Sequence, residues 1–205
     1  MKLHWSPRSP FVRKVMIVAH EVGVADRLDC VRTVAATTKP SLELMADNPL
    51  SKLPTLVLDD GATLYDSAVI CEYFDTLHNG PKLFPVEAKA RMTALRRQAL
   101  GDGMLDFLVL WRSEAMRPAA HRSQPHIASY AIRRDAVLAS LEKEAADLEA
   151  SAYSIGHITV GCALSYLDFR YADFDWRKGH PKLAAWHAKF AARPAVRATE
   201  PVDDS

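Results

Sequence analysis

Cysteine is sparse: Cys30, Cys71 and Cys162 stand far apart in 205 residues, each among apolar neighbours. Their spacing fits neither a disulfide framework nor a zinc-ligand set, and they read as three reduced, buried thiols of a cytoplasmic protein. The eight histidines form no pair three or four positions apart with a carboxylate ligand set beside it, so no metal is expected. No glycine-rich phosphate loop and no G-x-S-x-G turn occurs. Neither sign of charge is in real excess: 26 Lys and Arg stand against 25 Asp and Glu. A formal net charge of +1 gives no electrostatic footprint for nucleic acid or an anionic membrane. No apolar run approaches the ~20 residues that a bilayer span needs. The opening Lys2 to Pro7 lacks a signal-peptide pattern. Internal repeats and low-complexity tracts are absent.

What is present is an ordinary globular composition, 49% hydrophobic and 25% charged, long enough for one large domain or two small ones. The most informative stretch runs from Asn48 to Ser67. Asn48-Pro49 begins it as a turn. Thr55 to Leu58 reads as a strand, Asp59-Asp60-Gly61 as a tight reversal, and Ala62 to Tyr65 as the returning strand. Asp66-Ser67 stands where a helix N-cap belongs. Pro54 cannot donate to a sheet ladder, so it sits at an edge or a special turn. A cis Leu53–Pro54 bond is one solution, with the Leu53 N–H and C=O turned outward. Such a main-chain pair binds an extended peptide by strand addition. The following helix N-terminus and the Ser67 hydroxyl suit a carboxylate, and Asp66 suits an amine. An ordinary hairpin followed by a capped helix accounts for the same pattern.

The first half reads β-α-β-α-β-β-α. Lys2 to Trp5 is a strand. A helix follows from Pro10 with Ser9 as N-cap, ended by Gly23. Leu28 to Val34 is a strand, 37–41 a loop, Leu42 to Ala46 a short helix, and Ala68 to Leu77 a third helix. After His78 to Pro85 the alternation vanishes and helices take over. They run from Glu87 to about Met116, after a 118–125 loop as far as Leu148, through a central apolar helix at Ile155 to Phe169, and from Pro181. Gly101 and Gly103 mark a bend or a close backbone approach in the first of these. Trp111, Met104 and Phe107 read as core or as a substrate wall.

Ser6 and Ser9 occupy the turn between the first strand and helix. In a thioredoxin-type unit a reactive sulfur sits there, because the helix N-terminus stabilises a thiolate. Serine at both positions rules out a C-x-x-C disulfide. A serine hydroxyl can donate instead to a substrate's thiolate, a bond worth about 1.5–3 kcal/mol. Ser9 as a simple helix cap fits the same residues.

Together, Ser9-Pro10-Phe11-x-Arg13, Asn48-Pro49 to Pro54, Asp66-Ser67 and the helical second half resemble the cytosolic glutathione S-transferases over essentially the whole chain. The most specific block is KLPTLVLDDGATLYDSAVICEYFD. The resemblance implies an α/β thioredoxin-like domain (βαβαββα) at residues 1–78, a linker at 79–86 and an all-α domain at 87–205. It implies a homodimer joining the first domain of one subunit to the helices of the other. It assigns Leu53, before cis-Pro54, to the cysteinyl backbone of glutathione, Asp66 and Ser67 to the γ-glutamyl end, and Lys52 to the glycyl carboxylate. Ser9 matches the serine of theta-like and zeta-like enzymes and the cysteine of omega-like ones. Conjugation of glutathione thiolate to a small electrophile is then expected. The alternatives are a non-catalytic glutathione binder or chaperone-like protein, and a glutathione-dependent lyase or peroxidase. Two departures stand out. His157 replaces the aspartate that the family places in the S-x-x-D box of its central helix, so weaker capping is expected there. The S-S-C run of zeta-like isomerases is missing. Ser6 is a rival to Ser9 as the thiol-activating residue.

Overall fold

A computed structural model describes residues 1–36 and 38–204. Thr37, in the expected 37–41 loop, lies outside the described residues. The chain forms two compact units: residues 1–88 together with the chain from Pro194 on, and residues 89–193.

The first unit is built on four strands, β1 (Lys2–Trp5), β2 (Asp29–Arg32), β3 (Thr55–Val57) and β4 (Thr63–Leu64), in the order β2-β1-β3-β4. β1 and β2 are parallel, Leu3 opposite Cys30, joined by the crossover helix α1 (Pro10–Glu21). β3 runs antiparallel to β1 and β4 antiparallel to β3. α1 starts where the sequence marks it: Ser9 is its N-cap and Pro10, with no N–H to lose, opens it. It ends at Val22, and Gly23 follows in the left-handed region at φ 74°, where a Cβ is disfavoured. Gly61 does the same for the hairpin at φ 86°. α2 (Leu42–Met45) and α3 (Ser67–Thr76) complete the β-α-β-α-β-β-α order. Leu3, Val15, Ile17, Val18, Leu56, Ile70 and Phe74 are fully buried and form the core between sheet and helices. The strands are shorter than their apolar runs: β3 and β4 give way to the reversal, closed by the Leu58 N–H donating to the Ala62 carbonyl at 2.8 Å, and β2 ends at Arg32, with the Thr33 N–H still donating to the Trp5 carbonyl at 2.9 Å. The Leu53–Pro54 and Tyr65–Asp66 peptide bonds are cis.

The second unit holds α4 (Ala88–Ala115) from its second residue on, α5 (Gln124–Ala150), α6 (Ile155–Arg170) and α7 (Pro181–Ala191). Every residue of α6 from Ile155 to Leu167 is buried, as its all-round apolarity requires. Gly101 of α4 lies against it: a Cβ there would stand 2.8 Å from Thr159 Cγ2 and 2.9 Å from its backbone. Close approach, not a bend, is therefore the reason for this glycine. Pro125, expected in the preceding loop, instead opens α5.

The start of α6 corrects the expectation of weak capping. His157 supplies what an aspartate would: its Nδ1 accepts the Ser154 backbone N–H at 3.1 Å. Its Nε2 points the other way, 3.0 Å from the Leu148 carbonyl, and so carries the ring proton. After α7 the chain departs from the helical unit. α8 (Pro194–Arg197) packs on α1, the Arg13 guanidinium donates to the Val196 carbonyl at 3.4 Å, and Asp204 pairs with Arg8 and Arg32 at 2.9 and 2.7 Å.

Candidate functional site

The strand directions gather three junctions at one end of the sheet. His4 lies opposite Thr55, so the exit of β1 into Ser6–Ser9 stands beside the entry of β3 from Leu53 and Pro54. Leu64 lies opposite Leu56, so β4 returns to that same end before passing into Asp66 and Ser67. Each junction there belongs to the first unit.

Ser9 stands half-buried at the mouth of α1. Its Oγ accepts the Val12 N–H at 3.3 Å, and its hydroxyl proton has no acceptor among the described residues. Ser6 is 7% exposed, and its carbonyl accepts the Ser9 N–H at 3.2 Å. Ser6 therefore builds the turn that presents Ser9.

Leu53 is half-buried and Pro54 buried, while Lys52 is exposed. Neither the N–H nor the C=O of Leu53 takes a hydrogen bond among the described residues. One position further back, the Lys52 carbonyl accepts two bonds, from Asn48 Nδ2 at 3.2 Å and Thr55 Oγ1 at 2.9 Å. Sequence reading assigned Asn48 to a turn and Thr55 to a strand. No periodicity signals that their side chains meet.

At α3 the capping role belongs to Asp66, not Ser67. The Asp66 carboxylate accepts the Ala68 N–H at 2.9 Å from an extended backbone. Ser67 is the first helical residue and is 3% exposed. Both are N-cap residue types in succession, and the side chain one position earlier takes the bond. Asp66 remains exposed, leaving its other oxygen toward solvent.

Within the helical unit, Met104 and Phe107 are core residues, 1% and 6% exposed. Trp111 is half-buried, with ring centroids 5.2 Å from Tyr171 and 6.1 Å from Tyr130, and the Arg134 guanidinium 5.4 Å from its own. The Tyr171 hydroxyl donates to the Leu108 carbonyl at 2.6 Å, and burial pushes its ionisation well above the ordinary phenol range. Among the described residues no group of three or more His, Cys, Asp or Glu could hold a metal ion, and no helix is long and apolar enough to cross a membrane.

A βαβαββα unit with a serine-capped α1, an unpaired main chain before β3 and an open α3 N-terminus defines a thioredoxin-like domain, followed here by a helical unit. The glutathione S-transferase N-terminal domain model matches residues 8–77, and the C-terminal domain model matches residues 124–189. The chain is 42% identical to a glutathione transferase family member from Pseudomonas fluorescens Pf-5 solved with bound glutathione, with 98% of each chain covered and a TM-score of 0.94. It is 34% identical to a glutathione S-transferase from Methylobacillus flagellatus KT with GSH bound, covering 98% of this chain and 99% of that one at a TM-score of 0.86. It is 29% identical over 203 residues, 98% of each chain, to the uncharacterized GST-like protein YibF of Escherichia coli. The chain belongs to the glutathione S-transferase family.

Proposed function

We propose that the protein is a glutathione transferase that conjugates glutathione to small electrophiles. The observation that carries this is the convergence of Ser9, the Leu53 main chain and the α3 N-terminus on one sheet end. Glutathione bound in the 42% identical relative supports the same ligand here. The Leu53 N–H and C=O pair with the cysteinyl residue as an added strand. Ser67 and the α3 amides take the γ-glutamyl carboxylate, the free oxygen of Asp66 takes the ammonium, and Lys52 meets the glycyl carboxylate. The ligand's sulfur is thereby delivered to Ser9.

Ser9 Oγ–H donates to that sulfur and favours the thiolate at the positive end of α1. The thiol proton passes to solvent, and the thiolate forms the new S–C bond as the electrophile's leaving group departs with its electron pair, or as the electrons of an activated double bond shift and the adduct takes a proton from solvent. Serine here, as in theta-like and zeta-like enzymes, suits conjugation better than the mixed-disulfide chemistry of a cysteine. Most of the rate gain comes from thiolate formation and positioning, without a covalent enzyme intermediate. The protein acts as a cytoplasmic homodimer in detoxification.

The test is a conjugation assay over a panel of electrophiles, run beside retention on immobilised glutathione. Retention with turnover on at least one electrophile is expected. Retention without turnover leaves a glutathione-binding protein. Neither retention nor turnover sinks the reading.

A further inference from the structure

We infer that Asn48 and Thr55 are positioning residues for the ligand-binding main chain: they hold the Lys52 carbonyl inward and so aim the Leu53 N–H outward. This rests on the glutathione reading above and concerns how the same site is preset.

Asn48 is 1% exposed and Thr55 is fully buried, and their polar atoms are matched one to one. Asn48 Nδ2 donates to Thr55 Oγ1 at 2.9 Å and to the Lys52 carbonyl at 3.2 Å. Thr55 Oγ1, having accepted from Asn48, donates its own proton to that carbonyl at 2.9 Å. Asn48 Oδ1 accepts the Leu50 N–H at 3.0 Å, and the Asn48 carbonyl accepts the Ser51 N–H at 2.9 Å. Two donors, one from the loop after α2 and one from β3, therefore fix one carbonyl.

The Lys52 carbonyl and the Leu53 N–H belong to one peptide group, and that bond is trans. In a planar trans peptide the C=O and N–H point in opposite directions. Pinning the carbonyl inside leaves the N–H one orientation, away from the knot. This N–H has no partner among the described residues, and it is the donor assigned to the cysteinyl carbonyl of glutathione.

The loop is held harder than chain connection requires. Ser51 sits in the left-handed region at φ 50°, unusual for a residue with a Cβ, and its Oγ accepts the Ser41 N–H at 2.8 Å. A buried polar knot contributes little net stability over apolar packing, but it specifies one geometry when every member is satisfied. Preset geometry spares the ligand the entropy of ordering the loop.

Three variants test this, each measured for glutathione Kd by calorimetry, for kcat and for thermal midpoint. Thr55→Val keeps the side-chain shape and removes the hydroxyl. Asn48→Asp keeps the acceptor for Leu50 and removes both donors. Thr55→Ser keeps the hydroxyl. Glutathione binding should weaken about ten-fold or more in Thr55→Val and Asn48→Asp, the loss expected when a ligand hydrogen bond is misaimed. Turnover at saturating glutathione should stay within about three-fold, since Ser9 is untouched. Thr55→Ser should restore wild-type affinity even if its thermal midpoint falls. A folded Thr55→Val or Asn48→Asp protein with wild-type Kd overturns the positioning role while leaving the glutathione site standing. Failure of Thr55→Ser to restore the Kd overturns it as well. A wild-type chain that does not bind glutathione overturns the underlying reading, and the positioning role with it.

Discussion

The Ser154 backbone N–H donates to His157 Nδ1 at 3.1 Å, so a histidine closes the capping box of the central helix. That bond needs an unprotonated Nδ1, and the Nε2 proton is directed at the Leu148 carbonyl. A proton added at Nδ1 would end that bond, setting it donor to donor against the Ser154 N–H and leaving only the Ser154 hydroxyl oxygen, 2.9 Å away, to accept it. Burial is the largest influence on the ring and pushes its pKa below the ordinary value. The Leu148 carbonyl opposes this, and the Arg97 and Arg193 guanidiniums add to it.

A pH dependence of stability follows from the sign of that shift. The folded chain binds this proton less readily than the unfolded chain. The stabilisation is therefore complete above the unfolded histidine pKa of about 6.5 and is lost as pH falls through the folded value. One such group changes stability by at most about 1.4 kcal/mol per pH unit. His157→Asp keeps an acceptor that stays ionised across this window. Thermal midpoints between about pH 7.5 and 5 should fall for wild type and fall less for His157→Asp. Parallel curves for the two proteins would show that His157 is not the sensor.

Ser9→Ala should lower turnover about ten- to a thousand-fold, from loss of one charge-assisted bond and misplacement of the sulfur. Glutathione Kd should change much less, because the ends of the peptide are held elsewhere. The thiol pKa of bound glutathione, followed by thiolate absorbance, should rise toward its free value. Ser6→Ala should not reproduce these effects, since Ser6 shapes the turn through its carbonyl. Full activity in Ser9→Ala with a folded, inactive Ser6→Ala would reverse the assignment.

The two glycines of α4 should respond in opposite directions. Gly101→Ala places a methyl 2.8–2.9 Å from Thr159, including its backbone, so α4 and α6 must part. Overpacking of this kind costs about 1–3 kcal/mol. A Cβ at Gly103 meets nothing within 4 Å, so Gly103→Ala should gain up to about 1 kcal/mol of helix propensity. Denaturant midpoints of the two variants check this. A Gly101→Ala protein as stable as Gly103→Ala would mean that the close approach is not real.

Much of this architecture was legible in the sequence because its signals are local. Ser9-Pro10 marks a helix start through a cap and a residue without an N–H. Asp60-Gly61 marks a reversal because only glycine takes φ 86° without cost. Less legible were features that depend on contacts distant in sequence. Four residues of α8 have too little periodicity to show that the chain from Pro194 returns to α1. Asn48 looks like any turn asparagine until Thr55 and the Lys52 carbonyl are placed beside it. At the site itself, Asp66 and Ser67 are equally good caps by composition. Only the backbone, extended at Asp66 with ψ −159° and helical from Ser67, decides between them.

That distinction makes Asp66 and Ser67 separable by experiment. Asp66 holds the Ala68 N–H, so Asp66→Ala removes a cap worth about 1 kcal/mol of stability before any ligand is added. Ser67 caps nothing, and Ser67→Ala should leave the ligand-free thermal midpoint close to wild type. In the glutathione reading both side chains touch the γ-glutamyl end, Asp66 at the ammonium and Ser67 at the carboxylate. Each variant should therefore bind glutathione roughly ten-fold or more weakly. A ligand that binds only the folded state raises the midpoint according to its concentration over Kd. Wild type should show a glutathione-dependent rise in midpoint, and both variants a smaller one at the same concentration. The variants should start from different ligand-free midpoints, lower for Asp66→Ala alone. A Ser67→Ala protein with an unchanged glutathione shift would remove the carboxylate contact from the site. The absence of any shift in wild type would leave Asp66 as a helix cap and Ser67 as a buried first-turn residue, with no ligand at this end of the sheet.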